Sequence, residues 1–212
     1  MKKVILLTAA SLCIAAISNA QITKGSKLLG LDFGAGYNKS GEGLNESKQS
    51  HFNFNPSLGF AIKENSVLGF RVNYGHGKMT TGGTSPERKT TEYGAGVFLR
   101  RYLQLGKKVY LFGEGAGDYN YSNSKDAGNG YAYTSKTNSV TLSAYPGFSY
   151  AATKRLMIDA GLNRLVAIGY SASESTQTSP GSTTVSKNSS FGMSTTLGGN
   201  TSFSVGFRFL LP

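Results

Sequence analysis

Phe52-Asn53-Phe54-Asn55-Pro56-Ser57-Leu58-Gly59-Phe60-Ala61-Ile62 is followed, after a short polar link, by Leu68-Gly69-Phe70-Arg71-Val72-Asn73-Tyr74. In both stretches every second residue is apolar and the residues between are mostly small or polar. A period of two is the mark of a β-strand with one apolar face. Working outward, the same alternation carries Leu29, Leu31, Phe33, Ala35 and Tyr37, then Tyr93, Ala95, Val97 and Leu99. It returns in Val140, Leu142, Ala144, Pro146, Phe148 and Tyr150, and in Leu156, Ile158, Ala160 and Leu162. A last segment holds Leu197, Phe203, Val205, Phe207 and Phe209. The segment from Val109 to Tyr121 is apolar on both parities. Glu114 and Asp118 are placed inward there, because a carboxylate facing hydrocarbon is costly.

That makes eight strands, most of them longer than the five or six residues usual in soluble sheets and close to the roughly 9–11 that a tilted membrane-crossing strand needs. The connections give an independent test. Those near 39–49, 79–90, 122–137 and 171–189 are long and rich in Ser, Thr, Gly, Lys and Asn, whereas those near 63–66, 103–108 and 152–155 are short. Strict alternation of long and short connections is the pattern of an up-and-down barrel with short periplasmic turns and four longer external loops. The expected fold is therefore all-β, an eight-stranded antiparallel up-and-down transmembrane β-barrel. Closure follows from physics, because hydrocarbon offers no partner to an unpaired backbone amide or carbonyl. Pro56 and Pro146 each remove a ladder donor, so a bulge or local break is expected at both.

Composition agrees. The chain has 212 residues, 28 glycines, 12 Tyr, 12 Phe, no Trp and a single Cys. Those counts exclude a disulfide scaffold and a collagen repeat, and so many aromatics argue against disorder. Residues 1–20 read as a signal peptide: Lys2-Lys3, an apolar run from Val4 to Ile17, then Ser18-Asn19-Ala20. Residues 21–212 are then the barrel domain, exported to the cell outer membrane. Cys13 lies within the apolar run after Leu12, not after a small residue, so lipidation is not expected. Cleavage would take the formal charge from +11 to about +9, with 20 basic residues against 11 acidic ones.

Asn55-Pro56-Ser57-Leu58-Gly59-Phe60 before one tight turn, Ala144-Tyr145-Pro146-Gly147-Phe148 before another, and Phe98-Leu99-Arg100-Arg101-Tyr102 with Val109-Tyr110-Leu111-Phe112-Gly113-Glu114 resemble the small outer-membrane β-barrel domain family. These are the eight-stranded OmpA/OmpX-type barrels of Gram-negative bacteria. The terminal Phe203-Ser204-Val205-Gly206-Phe207-Arg208-Phe209 is similar to the aromatic last strand that the barrel-assembly machinery recognises, so that machinery is an implied partner in biogenesis. The resemblance implies architecture and leaves activity open, since this fold hosts structural barrels, adhesins, porin-like proteins and a few lipid enzymes.

Two residue sets follow from the parity. Phe52, Phe54, Phe60, Phe70, Tyr74, Tyr93, Phe148, Phe203 and Phe207 are expected to face lipid. Asp32, Arg71, Arg100, Glu114, Asp159 and Arg208 are expected to face the lumen, which eight strands make just wide enough to be filled by side chains. Counting from the periplasmic end places Arg208 between Asp159 and Asp32, and Glu114 near Arg71 and Arg100. A charge network plugging the tube is the first expectation. A narrow solute path, favoured by the many inward glycines, is the alternative. A lipid-modifying enzyme is the third reading, but the two histidines, His51 and His76, have no Ser and carboxylate at a useful spacing. No catalytic residue, cofactor or metal ligand set is assigned. Gly34-Ala35-Gly36 and Gly113-Glu114-Gly115-Ala116-Gly117 lack the helix that a phosphate loop needs. Lys39, Lys48, Lys78, Arg88, Lys89, Lys125, Lys136 and Lys187 lie in or beside the long connections. The expected partners are outer-membrane lipids and lipopolysaccharide rather than nucleic acid, and the expected state is a monomer.

Overall fold

The computed structural model describes residues 22–41, 46–81, 87–128, 131–162, 165–195 and 203–211. Residues 1–20 and Leu197 lie outside that set, as does the side chain of Phe203. Ten strands are present: β1 Lys27–Ser40, β2 Ser47–Lys63, β3 Ser66–Thr81, β4 Arg88–Gln104, β5 Val109–Gly128, β6 Tyr131–Ala151, β7 Leu156–Leu162, β8 Val166–Ser179, β9 Ser182–Thr195 and β10 Phe203–Leu211. Each strand from β1 to β6 pairs antiparallel with the next. β6 pairs with β7, β7 with β10, and β10 with β1, which closes the sheet on itself.

Eight of the ten strands, β1 to β7 and β10, close the ring, and β9 pairs with β8 alone. β7 and β8 both pair with β6. Gly147 to Ala151 of β6 face Met157 to Gly161 of β7, and Ala132 to Ala144 of β6 face Val166 to Thr178 of β8. The sum of paired residue numbers changes from 308 to 310 across Pro146, so the partner strand gains two residues beside the ring that cannot donate. At Pro56 pairing with β3 lapses between Phe54 and Ser57 and resumes in the same register. That is a break without a bulge. The register shift in this pair lies instead at Ala61/Lys63, next to the turn.

The long polar connections take a form that the sequence pattern does not suggest. Most of their residues are strand. β5 and β6 extend to Gly128 and Tyr131, and the stretch read as a loop over 171–189 is the hairpin of β8 and β9, turning at 180–181. Ser, Thr and Asn replace the apolar alternation there, so no period of two survives to mark a strand. Cross-strand hydroxyls hold the ladder instead. Thr137 donates to Ser173 at 3.1 Å, Tyr133 to Ser175 at 3.0 Å, and the Ser171 and Ser190 hydroxyls lie 2.8 Å apart. The strands flanking the long connections therefore extend well beyond the end of the apolar alternation, and β8 and β9 meet in a tight turn at 180–181.

At the opposite end the turns are tight. Asn65 is the one non-glycine residue at positive φ among the described residues, at 56°, a conformation that Asn tolerates better than most. Its amide donates to the Ile22 carbonyl at 3.1 Å, and its own carbonyl accepts from the Tyr102 amide at 2.8 Å. The segment before β1 is thus stitched across the short-turn end, with Ile22 fully buried. Inward residues of the strands meet it: Leu28, Val67, Phe98, Tyr102, Tyr110, Phe112 and Met157 form a buried apolar floor.

Candidate functional site

Register fixes which side chains enter the lumen. In an antiparallel pair, residues directly opposite share a face. Arg100 opposes Glu114, which opposes Tyr145, and Arg208 opposes Gly30 on one side and Met157 on the other. Following those pairs around the barrel puts Asp32, Arg71, Arg100, Glu114, Asp118, Asp159 and Arg208 on the inner face.

These side chains form one connected network above the apolar floor. Arg71 donates from Nε to Asp118 at 2.8 Å and from Nη1 to Glu114 at 2.8 Å. Arg100 donates from Nε to Glu114 at 2.7 Å and also reaches Asp159. Arg208 lies between two carboxylates, donating from Nη2 to Asp32 at 2.7 Å and from Nε toward Asp159 at 3.2 Å. Tyr145 donates to Glu114 at 2.6 Å, and Ser149 donates to Asp159. The Arg100 guanidinium also sits 4.2 Å from the Phe112 ring centroid, so the charge rests directly on the aromatic floor. Arg100, Glu114, Asp118, Asp159 and Arg208 are all at least 96% buried.

Glycines make room for this network. The cross-strand neighbours of Arg208, Asp118 and Asp32 are Gly30, Gly96 and Gly206. A Cβ on Gly96 would lie 2.1 Å from Asp118, and one on Gly206 would lie 2.0 Å from Asp32. Gly147 likewise accommodates the Phe112 ring. At Gly30, Gly36 and Gly94 too, the space a Cβ would take is occupied by a cross-strand side chain, whereas Gly75 and Gly77 border open space.

Above the network the lumen opens into a polar cup of about 360 Å³, lined by Asn53, Asn55, Asn73, Glu92 and Asn120 over Arg71 and Asp118. A second cavity of about 320 Å³, lined in part by Gln49, His51, Arg88 and Thr90, continues it toward the hairpins. His51 faces this lumen. His76, opposite Phe52, faces outward, so the two imidazoles stand on opposite sides of the wall. No group of three or more His, Cys, Asp or Glu suited to a metal is found among the described residues.

The outer face is apolar and exposed. Phe52, Phe60, Phe70, Tyr74, Tyr93, Phe148 and Phe207 are each at least 36% exposed, and Phe54 stands among them with its ring 5.2 Å from that of Phe33. Leu68, Val97, Leu99, Val140, Leu142 and Ile168 fill the belt between these aromatics. A soluble monomer rarely exposes a contiguous apolar patch above a few hundred Å². A closed barrel with its oil outside and its charges inside is built for a lipid surround.

The backbone likeness decides the fold. The chain is similar to the outer membrane protein OprG from Pseudomonas aeruginosa, with a TM-score of 0.53 at 13% identity over 91% of this chain and 99% of that one. The fold is that of an outer-membrane β-barrel. Looser likenesses are to Neisserial surface protein A, with a TM-score of 0.46, 22% identity and coverage of 88% and 97%, and to a major outer membrane protein from Thermus thermophilus, with a TM-score of 0.48, 11% identity and coverage of 88% and 99%. No family model and no curated protein matches this chain.

Asp118, Tyr145 and Ser149 join the network without having been assigned to it from sequence. The signal for Asp118 was its shared parity with Glu114. Its partner could not be read, because that depends on how far the strands slip past one another around the barrel. The aromatic floor was hidden for another reason: at the short-turn ends of β4 and β5 both parities are apolar, as in Phe98-Leu99 and Leu111-Phe112.

Proposed function

We propose that this protein is an integral outer-membrane barrel with a structural or surface-interaction role, exported by its N-terminal segment and presenting the four hairpins to the exterior. What supports this reading is the filling of the lower lumen by the apolar floor and the arginine–carboxylate network. A solute crossing here would have to part the arginine–carboxylate pairs above the apolar floor, and breaking a buried charge pair costs several kcal/mol. Separation of the two imidazoles by the wall argues against the His, Ser and carboxylate arrangement of a lipid-modifying barrel. Monomer is the default state, supported in the lower half by the β10–β1 closure, which leaves no strand edge there.

Planar-bilayer recording of the purified protein tests the plug. A silent membrane is expected, and discrete conductance steps would replace this reading with the passive channel. The polar cup is what favours that second reading, as it supplies half of a path. Mass analysis of lipid A from expressing cells tests the enzyme class, with an unchanged acyl pattern expected.

A further inference from the structure

The outer wall of β3, β4 and β5 carries an ordered set of side chains that neither closure nor packing requires. Lys78 opposes Lys89, which opposes Lys125. Two residues nearer the barrel, His76 opposes Thr91, which opposes Asn123. Two further, Tyr74 opposes Tyr93, which opposes Tyr121. All nine face outward. Together they make three rows of three: cationic at the hairpin side, polar in the middle, aromatic at the edge of the apolar belt. Val72, Ala95 and Tyr119 continue the columns into that belt. A concavity of about 670 Å³ lies over the plate, with His76, Lys89, Tyr93, Tyr121, Asn123 and Lys125 in its lining.

Like charges placed directly across strands destabilise a sheet unless something neutral or anionic intervenes. Glu87 does so for one contact only, bridging Lys78 at 2.5 Å and Lys89 at 3.3 Å. Hydrogen bonding from Lys78, with Lys89 in support, holds the Glu87 carboxyl below the usual carboxylate range, so it stays charged. Three lysines against one glutamate leave the row with an excess of two positive charges, and Lys125 makes no ion pair among the described residues. Rows are spaced by about 6.6 Å and columns by about 5 Å. The cations therefore sit roughly 13 Å along the strands from the tyrosines, with hydrogen-bonding groups between.

We propose that this plate is a docking site for a phosphorylated glycolipid of the surrounding leaflet, with its phosphate on Lys89 and Lys125, its sugar against His76, Thr91 and Asn123, and its acyl chains running down from Tyr93 and Tyr121. The order of chemistry along the wall matches the order phosphate, sugar, hydrocarbon in such a lipid, and the site is continuous with the belt where the chains would lie. The proposal rests on the membrane-spanning reading above.

The test uses the full chain purified from membranes in neutral detergent and titrated with bisphosphorylated lipid A, the same lipid stripped of phosphate, and inorganic phosphate as competitor, read by native mass spectrometry. Removing the lipid phosphates should weaken binding by roughly ten- to a hundredfold. The variant K78Q/K89Q/K125Q should lose a similar factor, while K107Q/K108Q/K154Q, with the same charge removed at the short-turn end, should change by less than about twofold. E87Q should tighten binding by freeing two lysines. Unchanged binding by K78Q/K89Q/K125Q, or full competition by millimolar inorganic phosphate, would overturn the proposal. Absence of the protein from the membrane fraction would defeat the membrane reading itself, and the two failures are distinct because fractionation is scored before any titration.

Discussion

The two halves of the barrel interior use the same strands and the same parity to opposite ends. Toward the short turns, inward positions hold Leu28, Val67, Phe98, Tyr110, Phe112 and Met157, capped by Ile22 and roofed by the arginine–carboxylate network. Toward the hairpins they hold Asn53, Asn73, Asn120 and a run of Ser and Thr hydroxyls that stay partly exposed. The sheet runs through both, closed by the β10–β1 pairing in the lower half and ending on β9, which pairs with β8 alone, in the upper half. The difference lies in the residue type along each inward face, which changes from aromatic to ionic to amide and hydroxyl. How the interior of such a tube is filled is thus decided locally, at the level where long side chains meet glycines across the ladder.

Breaking this contrast should hurt most at its boundary. Arg100→Ala leaves Glu114 and Asp159 buried without their shared partner and should cost about 3–5 kcal/mol, read by urea unfolding of the folded barrel through its gel mobility. A loss below about 1 kcal/mol would mean that water reaches the network. Arg71→Gln sits at the upper edge, where its side chain is 17% exposed and the cup can solvate Asp118. A smaller loss of about 1–3 kcal/mol is expected by the same assay. In the hairpins, Thr137→Val removes one hydroxyl contact at a partly exposed site and should stay within about 0.5 kcal/mol. A gradient in any other order would contradict a sealed base under a solvated cup.

The outward apolar face was legible because it repeats every two residues against Gly, Asn, Ser and Arg. Inward charges were legible by the same parity, Arg208 between Phe207 and Phe209 being the plainest case. Three features were not. The two-residue slip between β7 and β8 depends on Pro146 of a different strand. The β8–β9 hairpin has no apolar period to announce it. The lysine and tyrosine rows need the registers of three strands at once, and no single segment contains them.

Spin-label accessibility tests most directly whether the wall carries its oil outside and its charges within a closed interior. Single cysteines would be placed at outward Val97 and Leu99, at inward Asn73 and Asn120, and at inward Tyr102, in reconstituted barrels. Labels at Val97 and Leu99 should collide with oxygen dissolved in lipid, those at Asn73 and Asn120 with a water-soluble nickel chelate, and the label at Tyr102 with neither. Equal access of the chelate to Val97 and Asn73, or free access to Tyr102, would contradict that arrangement.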